Sequence, residues 1–481
     1  MLTVRWLKNG GAKILLFLAV VLARLAFSLS RLLGRGKGSS LPGMVALRIC
    51  PGALKTLAGR VRRGVIVVTG TNGKTTTNNM IARIIAGAGY RVAANLEGAN
   101  LIPGVTAALI KKASLSGRLD CDYACLEVDE AAFPAVCAQV RPDLVVVTNF
   151  FRDQLDRYGE LDSTIKYIRS ALEKLPSGKL ALNADDPLVA QLQTAGADKQ
   201  VVFYGFGEKA VRRLNGEREG VKEARFCPFC GSPLVYDYYQ YGQLGNYRCP
   251  RCAFARPRAG VEAVRIRMAG NSSCLVVTPD GPPVPLTLPV SGLYNLYNSL
   301  AAISAGLLIG VEVKEAAGAL QDYTPATGRM ERYSYLGKAI LLNLVKNPAG
   351  FNESLTILRE AESRFDVFIA INDNAADGRD VSWLWDVDFE ILQDCRRQVN
   401  CFVCSGTRAA EMGVRLKYAG VPADQITVEA DLDAAVDRIL SAPGHAAYVL
   451  ATYTALWPVE KKLAGCCQKE RAYAAHMSSV S

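Results

Sequence analysis

Histidine is almost missing from this chain: its 481 residues include two, His445 and His476. Neither lies near a plausible nucleophilic cysteine in sequence. Chemistry that needs a thiol activated by an adjacent imidazole is therefore not expected from this chain alone. Carboxylates are missing from its beginning. Residues 1–63 carry 12 Lys/Arg and no Asp or Glu, and the first acidic residue is Glu97. The net charge of +11 belongs to that segment, because the remaining 44 of the 56 basic residues face 45 acidic ones. A charge confined to one end is a local signal and not evidence for a nucleic-acid-binding protein. A long apolar run is also missing. The run Ile14 to Ala23 is about half of the ~20 residues that a membrane-spanning helix needs, and Arg24 follows it. There is no internal repeat and no long low-complexity segment. Half of the residues are hydrophobic, so the chain is globular, with two or three domains.

What is present is a phosphate-binding pattern. Val65-Ile66-Val67-Val68-Thr69-Gly70-Thr71-Asn72-Gly73-Lys74-Thr75-Thr76 reads as a buried strand, a glycine turn and the first turn of a helix. That geometry aims backbone N–H groups and a lysine at one spot, where nucleotide phosphates bind. Gly70 and Gly73 allow close backbone approach. Lys74 is expected on the β- and γ-phosphates, and Thr75 on Mg²⁺. The general pattern would place its first glycine at position 68, which is Val68 here. The alternative, a strand–turn–helix corner with a surface lysine, does not explain why strand, glycines, lysine and threonine come in this order.

Beyond the loop, Asn78 to Ala88 reads as a helix, and short apolar runs such as Tyr123–Val128 and Leu144–Thr148 as strands. Each ends in polar or acidic residues, Glu127-Val128-Asp129-Glu130 after the first and the stretch from Asn149 to Gly159 after the second. Strand and helix alternation predicts a parallel sheet covered on both faces, with ligands at the strand carboxyl ends. Residues 206–222 read as a linker, and Tyr323 to Arg329 as a hinge near Thr327 and Gly328. The fold class is α/β. A P-loop ATPase domain at 46–328 carries a small insertion at about 223–258, and a smaller Rossmann-like domain occupies 329–481. Residues 1–45 precede them as a basic, apolar segment. Two readings of that segment stay open: a helix at the cytoplasmic face of the membrane, where anionic lipid attracts each nearby Lys/Arg by ~1 kcal/mol, or a buried helix of the ATPase domain. A secretory signal is disfavoured, since no small-x-small cleavage site is clear and an ATP site needs the cytoplasm.

Cysteine is plentiful, with 14 residues. Cys121, Cys125 and Cys137 sit among apolar residues, as buried thiols do. Cys227-Pro228-Phe229-Cys230 and Cys249-Pro250-Arg251-Cys252 are two CxxC pairs 18 residues apart, the spacing of a zinc ribbon whose intervening residues, Leu234 to Tyr247, suit a hairpin. Four protein ligands close such a site, so its Zn²⁺ is structural. Cys401 and Cys404 form a third CxxC without a partner pair and read as core. A reduced, cytoplasmic protein is the consistent expectation.

The form Gly70-Thr71-Asn72-Gly73-Lys74-Thr75-Thr76 resembles the phosphate loop of the Mur ligase family, whose members use ATP to make an acyl phosphate on a carboxylate and then join an amine to it. Glu127 resembles that family's Mg²⁺-holding glutamate, and Asn183-Ala184-Asp185-Asp186 is similar to another of its stretches. Asn295 to Asn298 resembles its Asn-x-x-Asn helix start, which implies that Asn298 contacts adenine. Gly328-Arg329-Met330-Glu331 resembles its hinge motif, which implies that Arg329 reaches the γ-phosphate, and Lys346 takes the position of the lysine that opens its last domain. Three positions depart. Gln154 stands where a histidine is usual, Leu344 stands where an acid binds ribose, and the basic apolar segment replaces the domain that holds a UDP-linked substrate.

These departures, the zinc ribbon and the run from Asn372 to Trp383 are similar to one branch of the family, the ligase subunits of lipid II isoglutaminyl synthases. The resemblance implies amidation of the α-carboxylate of D-glutamate in lipid II, with ATP and Mg²⁺, inside a heterodimer with a GatD-type glutaminase that supplies ammonia. It also implies that Asp380 completes a triad whose Cys and His belong to the partner; the alternative is that Asp380 caps a helix starting at Val381. A lipid-linked substrate would account for both the missing UDP domain and the basic apolar segment. Two rivals remain, a Mur-type ligase that adds an amino acid and a zinc-ribbon P-loop ATPase on nucleic acid. The zinc ribbon and the Asp377–Trp383 run weigh against the first and the charge balance beyond residue 63 against the second.

Overall fold

Runs such as Val65 to Val68 and Val145 to Val147 are β-branched, apolar and buried along their whole length. That pattern suits strands covered on both faces. The computed structural model describes residues 2–32, 40–96, 98–152, 161–196, 198–208, 223–269, 271–325, 328–359, 361 and 363–469. Glu97, Gln154 with the rest of 153–160, most of the expected linker (209–222), the hinge residue Thr327 and His476 lie outside these.

Nine strands form the first sheet, in the order Val284–Leu288, Asn271–Val277, Val261–Ala269, Gln200–Phe206, Lys179–Asn183, Leu144–Val147, Gly64–Thr69, Tyr123–Glu127 and Val92–Ala94. From Val261–Ala269 onward the neighbours are parallel, and the first two strands are antiparallel. The register sets Val67 beside Leu126 on one side and Val145 on the other. Thr69, Glu127 and Val147 therefore end at one edge, and their loops converge there.

The helices Lys74–Gly87 and Leu293–Leu308 cover one face of this sheet, burying Met80, Ile84, Leu296 and Leu300 against Ile66 and Val146. The other face is covered by Ile102–Lys112, Phe133–Val140 and the N-terminal helices. The helix Leu2–Leu32 contributes Leu16, Ala19, Val20 and Ala23 to this core, as the buried-helix reading expects. Its opposite face is exposed and apolar. Among the described residues, no helix is long and apolar enough to cross a membrane.

A second sheet has the order Ile426–Val428, Val399–Ser405, Phe365–Ala370, Ala446–Ala451, Lys338–Leu344, Glu331–Tyr335 and Gln468–Lys469. The first five strands are parallel and the last two antiparallel. Of the third CxxC, Cys404 is buried within it as the core reading expects, whereas Cys401 is half-buried at the edge of that core. Between the two parallel-strand segments of the first domain, Val235–Tyr241 and Leu244–Arg248 form the expected antiparallel hairpin.

Candidate active site between the two sheets

The chain passes from the strand Gly64–Thr69 to the helix Lys74–Gly87 through Gly70, Thr71, Asn72 and Gly73. Gly70 has φ +119° and Gly73 has φ +83°. A Cβ on Gly73 would stand 2.1 Å from Asn298 Oδ1, and one on Gly70 2.4 Å from Thr148 Oγ1. Both positions thus need glycine for conformation and for space. The loop is braced from the neighbouring strand end. Thr71 N donates to Asn149 O at 2.8 Å and Asn72 N to Asn149 Oδ1 at 2.9 Å. Thr71 and Phe151 exchange hydrogen bonds of 3.2 and 3.1 Å. Such a rigid loop at a helix N-terminus favours an anion.

Lys74 is buried at the start of that helix. Its ammonium donates to Glu130 Oε2 at 2.8 Å, to Gly70 O at 2.6 Å and to Thr71 O at 3.2 Å. Burial disfavours its charge, but Glu130, Asp129 and Glu127 together outweigh this and hold its pKa above the usual lysine value. Glu130 was one of several acids following the strand Tyr123–Glu127; nothing in the sequence singled it out as the partner of Lys74.

Glu127 ends that strand and is also buried. Its Oε1 accepts from Asn100 at 3.3 Å, whereas Oε2 has no hydrogen-bond partner among the described residues. Burial raises its pKa, with Lys74, Thr75 and Arg329 pulling the other way. A buried carboxylate with an open oxygen, within reach of the Thr75 hydroxyl, is a hard-oxygen donor set that fits Mg²⁺.

The second domain closes the cleft. Asn72, Gly73, Thr76 and Asn298 line it from one side, Arg329 and Lys346 from the other. Asn347 Nδ2 donates to Asn72 Oδ1 at 2.9 Å, and Asn72 Nδ2 donates back to Asn347 Oδ1 at 3.4 Å, so the two domains meet at the phosphate loop. Leu344 lines the cleft with an aliphatic side chain, where the resemblance implies an acid. Glu353, from the helix Pro348–Arg359, lines it as well. The motifs did not point to Glu353, whose place depends on how that helix packs.

Asp380 lies outside this group. It is exposed, and Ser382 N donates to its Oδ1 at 2.8 Å. Hydrogen bonds from Ser382 hold its carboxyl below the usual range. Asp380 does brace a short 3₁₀ turn, Ser382–Asp386, rather than an α-helix beginning at Val381. Its loop is pinned by Asp377, which is buried and accepts from Thr454 N at 2.7 Å and from the Thr454 hydroxyl. Asn372 and Asn374 also donate to that hydroxyl, at 3.0 and 2.8 Å.

Cys227, Cys230, Cys249 and Cys252 converge, with all four sulfurs within 4.8 Å of one another. Four thiols at this separation fit a tetrahedral Zn²⁺ with no open position. Backbone and side-chain hydrogen bonds from Ser232 bring the Cys230 thiol down to about 6. The ribbon is tied to the phosphate loop. Gln243, between its two strands, donates to Phe150 O at 2.5 Å, and Asp186 accepts from Phe150 N at 2.9 Å. Phe150 and Phe151 directly follow Asn149, the residue that braces Thr71 and Asn72. Arg256 pairs with Asp185 at 2.6 Å on the same side. None of these contacts was legible from the CxxC spacing.

Comparison with known proteins yields matches along most of the chain. The Mur ligase middle domain matches residues 68–229, and the MurT ligase C-terminal domain matches residues 344–456. The chain is 36% identical over 445 residues to the MurT subunit of the glutamine-hydrolyzing lipid II isoglutaminyl synthase of Staphylococcus aureus (strain N315), covering 92% of this chain and 97% of that one. The corresponding subunit of Streptococcus pneumoniae (strain ATCC BAA-255 / R6) is 35% identical over 443 residues, covering 91% and 94%. Among solved structures, a pseudomurein peptide ligase type C from Methanothermus fervidus superposes with a TM-score of 0.65 at 23% identity, covering 85% of this chain and 80% of that one. MurF from Acinetobacter baumannii gives 0.64 at 17%, covering 88% and 80%. At these identities the structures bear on the fold alone.

Proposed function

The chain belongs to the MurT family of Mur-type ligases, and on that footing we propose that it amidates the α-carboxylate of D-glutamate in the lipid II stem peptide. It is an ATP-dependent ligase, and Mur ligases use ATP and Mg²⁺. The observation that carries the reading is the cleft itself, where Lys74's loop and Asn298 face Arg329 and Lys346 across the domain boundary. Asn298 is the residue for adenine. The amides at the helix N-terminus, Gly73 to Thr76, and the ammonium of Lys74 take the β- and γ-phosphates on a loop that Asn149 braces through Thr71 and Asn72. Thr75 and Glu127 would hold Mg²⁺, which when bound supplies further positive charge at the phosphates.

The substrate carboxylate attacks the γ-phosphorus in line, and ADP leaves. Lys74, Arg329 and Lys346 offset the charge on the transferring phosphoryl group. The product is an acyl phosphate. Ammonia adds to its carbonyl carbon, the C–O bond to phosphate breaks, and the amine loses a proton, leaving D-isoglutamine and inorganic phosphate. Closure of the last domain about the hinge excludes water, which would hydrolyse the acyl phosphate.

Ammonia comes from glutamine on a GatD-type glutaminase partner, with this chain as the ligase half of a heterodimer. Asp380 is exposed, pre-ordered and ionised, the state an acid needs to orient a partner's histidine. Cys227, Cys230, Cys249 and Cys252 would hold Zn²⁺, which when bound would staple the ribbon whose Gln243 docks on Phe150 and Asp186. The exposed apolar face of the helix Leu2–Leu32 supports a peripheral position at the inner face of the cell membrane, where a lipid-linked substrate resides.

The test is to incubate the chain with Mg-ATP, lipid II and ammonium and to weigh the product. Replacement of OH by NH₂ lowers the precursor by about one mass unit. A product heavier by an amino acid would favour the peptide-ligase alternative.

A further inference from the structure

The helix Leu2–Leu32 carries two apolar stripes. At about 100° per residue, Leu16, Ala19, Val20 and Ala23 share the face that packs into the core, and Ile14, Leu18, Leu22, Leu25 and Leu29 share the opposite one. Ile14 is 63% exposed, Leu25 54% and Leu29 59%. The stripe runs for about 22 Å along the helix. A contiguous apolar strip of this size on a folded surface marks a contact with a partner or a membrane.

Beside it lies a cavity of about 610 Å³ that is separate from the ATP cleft. Among the described residues, Arg24, Arg60, Arg62, Lys112 and Arg118 line it, with Asp120 as the one carboxylate. Arg24 comes from the same helix, on the flank between the two stripes. Its guanidinium donates to Ala113 O, and Arg60 Nη1 donates to Gly117 O at 2.6 Å, so both are fixed by neutral carbonyls that leave their charge uncompensated. Asp120 is engaged by Arg62 at 2.8 Å and by Arg91. The cavity therefore holds a strong positive excess at fixed positions, suited to phosphate oxygens.

We propose that this cavity binds the phosphate-bearing head group of a membrane lipid while the exposed stripe enters the interface. The proposal rests on the membrane position given above and adds to it a defined anion site. The two features are argued together because one helix supplies both: aliphatic side chains suited to acyl chains, and a cation at their flank. The absence of any carboxylate from residues 1–63 gives the surface the charge that an anionic leaflet attracts.

The test uses the full chain and three probes: vesicles of phosphatidylcholine, the same vesicles with phosphatidylglycerol, and inorganic diphosphate without vesicles. Two double variants accompany the wild type, Lys112→Glu with Arg118→Glu at the cavity rim, and Leu25→Glu with Leu29→Glu on the stripe. All four side chains are exposed, so thermal melting should not move. The expected result is tight co-sedimentation of the wild type with phosphatidylglycerol vesicles, weak binding to phosphatidylcholine alone, and a tenfold or greater loss in each variant. Unchanged vesicle binding in the rim variant overturns the head-group site. Diphosphate binding that the rim variant abolishes, without wild-type binding to any vesicle, assigns the cavity to a free phosphate and overturns the lipid source. A stripe variant that releases a glutaminase subunit while the wild type ignores vesicles assigns the stripe to a protein and overturns it too. Ammonia-dependent amidation of detergent-solubilised lipid II is read in parallel. Its absence in the wild type counts against the proposed reaction, while the vesicle result judges this site.

Discussion

Lys74 Nζ and Glu130 Oε2 lie 2.8 Å apart in a site where both side chains are buried. The lysine that the phosphate loop presents is thus held by a buried carboxylate. Removing one member leaves the other buried alone, which typically costs about 3–5 kcal/mol. Lys74→Met is expected to lower ATP-dependent amidation by at least a hundredfold and to destabilise the fold. Adding Glu130→Gln should restore much of the stability, read by denaturant unfolding, and none of the activity. Recovery of activity in the double variant would remove Lys74 from the mechanism.

The proposed role of Asp380 predicts that it separates two activities. Asp380→Asn is expected to leave ammonia-dependent amidation and melting unchanged and to lower glutamine-dependent amidation by about a hundredfold or more with the glutaminase present, as the loss of a triad acid does. Equal loss with ammonia and glutamine would mean that the residue serves the ligase cleft instead. Asp377→Asn frees the loop that holds Asp380 and should show a weaker version of the same selectivity.

The zinc ribbon should affect turnover at a distance. Elemental analysis is expected to find one zinc per chain, lost in Cys252→Ser. Gln243→Ala keeps the cysteines and cuts the link to Phe150, so it should lower turnover several-fold with zinc content intact. Full activity after zinc loss would show that the ribbon does not support the loop.

Asp186 gives a pH signature. Burial pushes its carboxyl from about 3.8 up to about 7, against hydrogen bonds from Phe150 N, Leu188 N and Gln243. Between those values the folded chain binds a proton that the unfolded chain has released, so this residue's contribution to stability is full at low pH and fades as pH rises toward 7. The effect is on the order of a few kcal/mol. Asp186→Asn should flatten that slope in denaturant unfolding across pH 4–7. An unchanged slope would mean that Asp186 is already ionised in the fold.

The phosphate loop and the two CxxC pairs were legible because their chemistry is encoded within a few consecutive residues. The alternating apolar runs gave the parallel sheets for the same local reason. The partner of Lys74 was not legible, since Asp129 and Glu130 are adjacent acids and only the course of the backbone after Glu127 decides which one reaches the ammonium. The docking of Gln243 on Phe150 joins residues 93 positions apart and leaves no local trace. The N-terminal helix was half legible. Its period is in the sequence, but both stripes are apolar, so hydropathy does not say which one packs. The small residues Ala19 and Ala23 decide it by letting that face approach the neighbouring helices closely.

The most direct measurement follows one oxygen atom. Lipid II labelled with ¹⁸O in the α-carboxylate of D-glutamate is amidated with ammonium and Mg-ATP, and the inorganic phosphate is analysed by mass spectrometry. An acyl phosphate keeps the carboxylate oxygen on phosphorus when ammonia displaces it, so the account predicts one labelled oxygen in phosphate for each amide formed. Amide formed with unlabelled phosphate would contradict it.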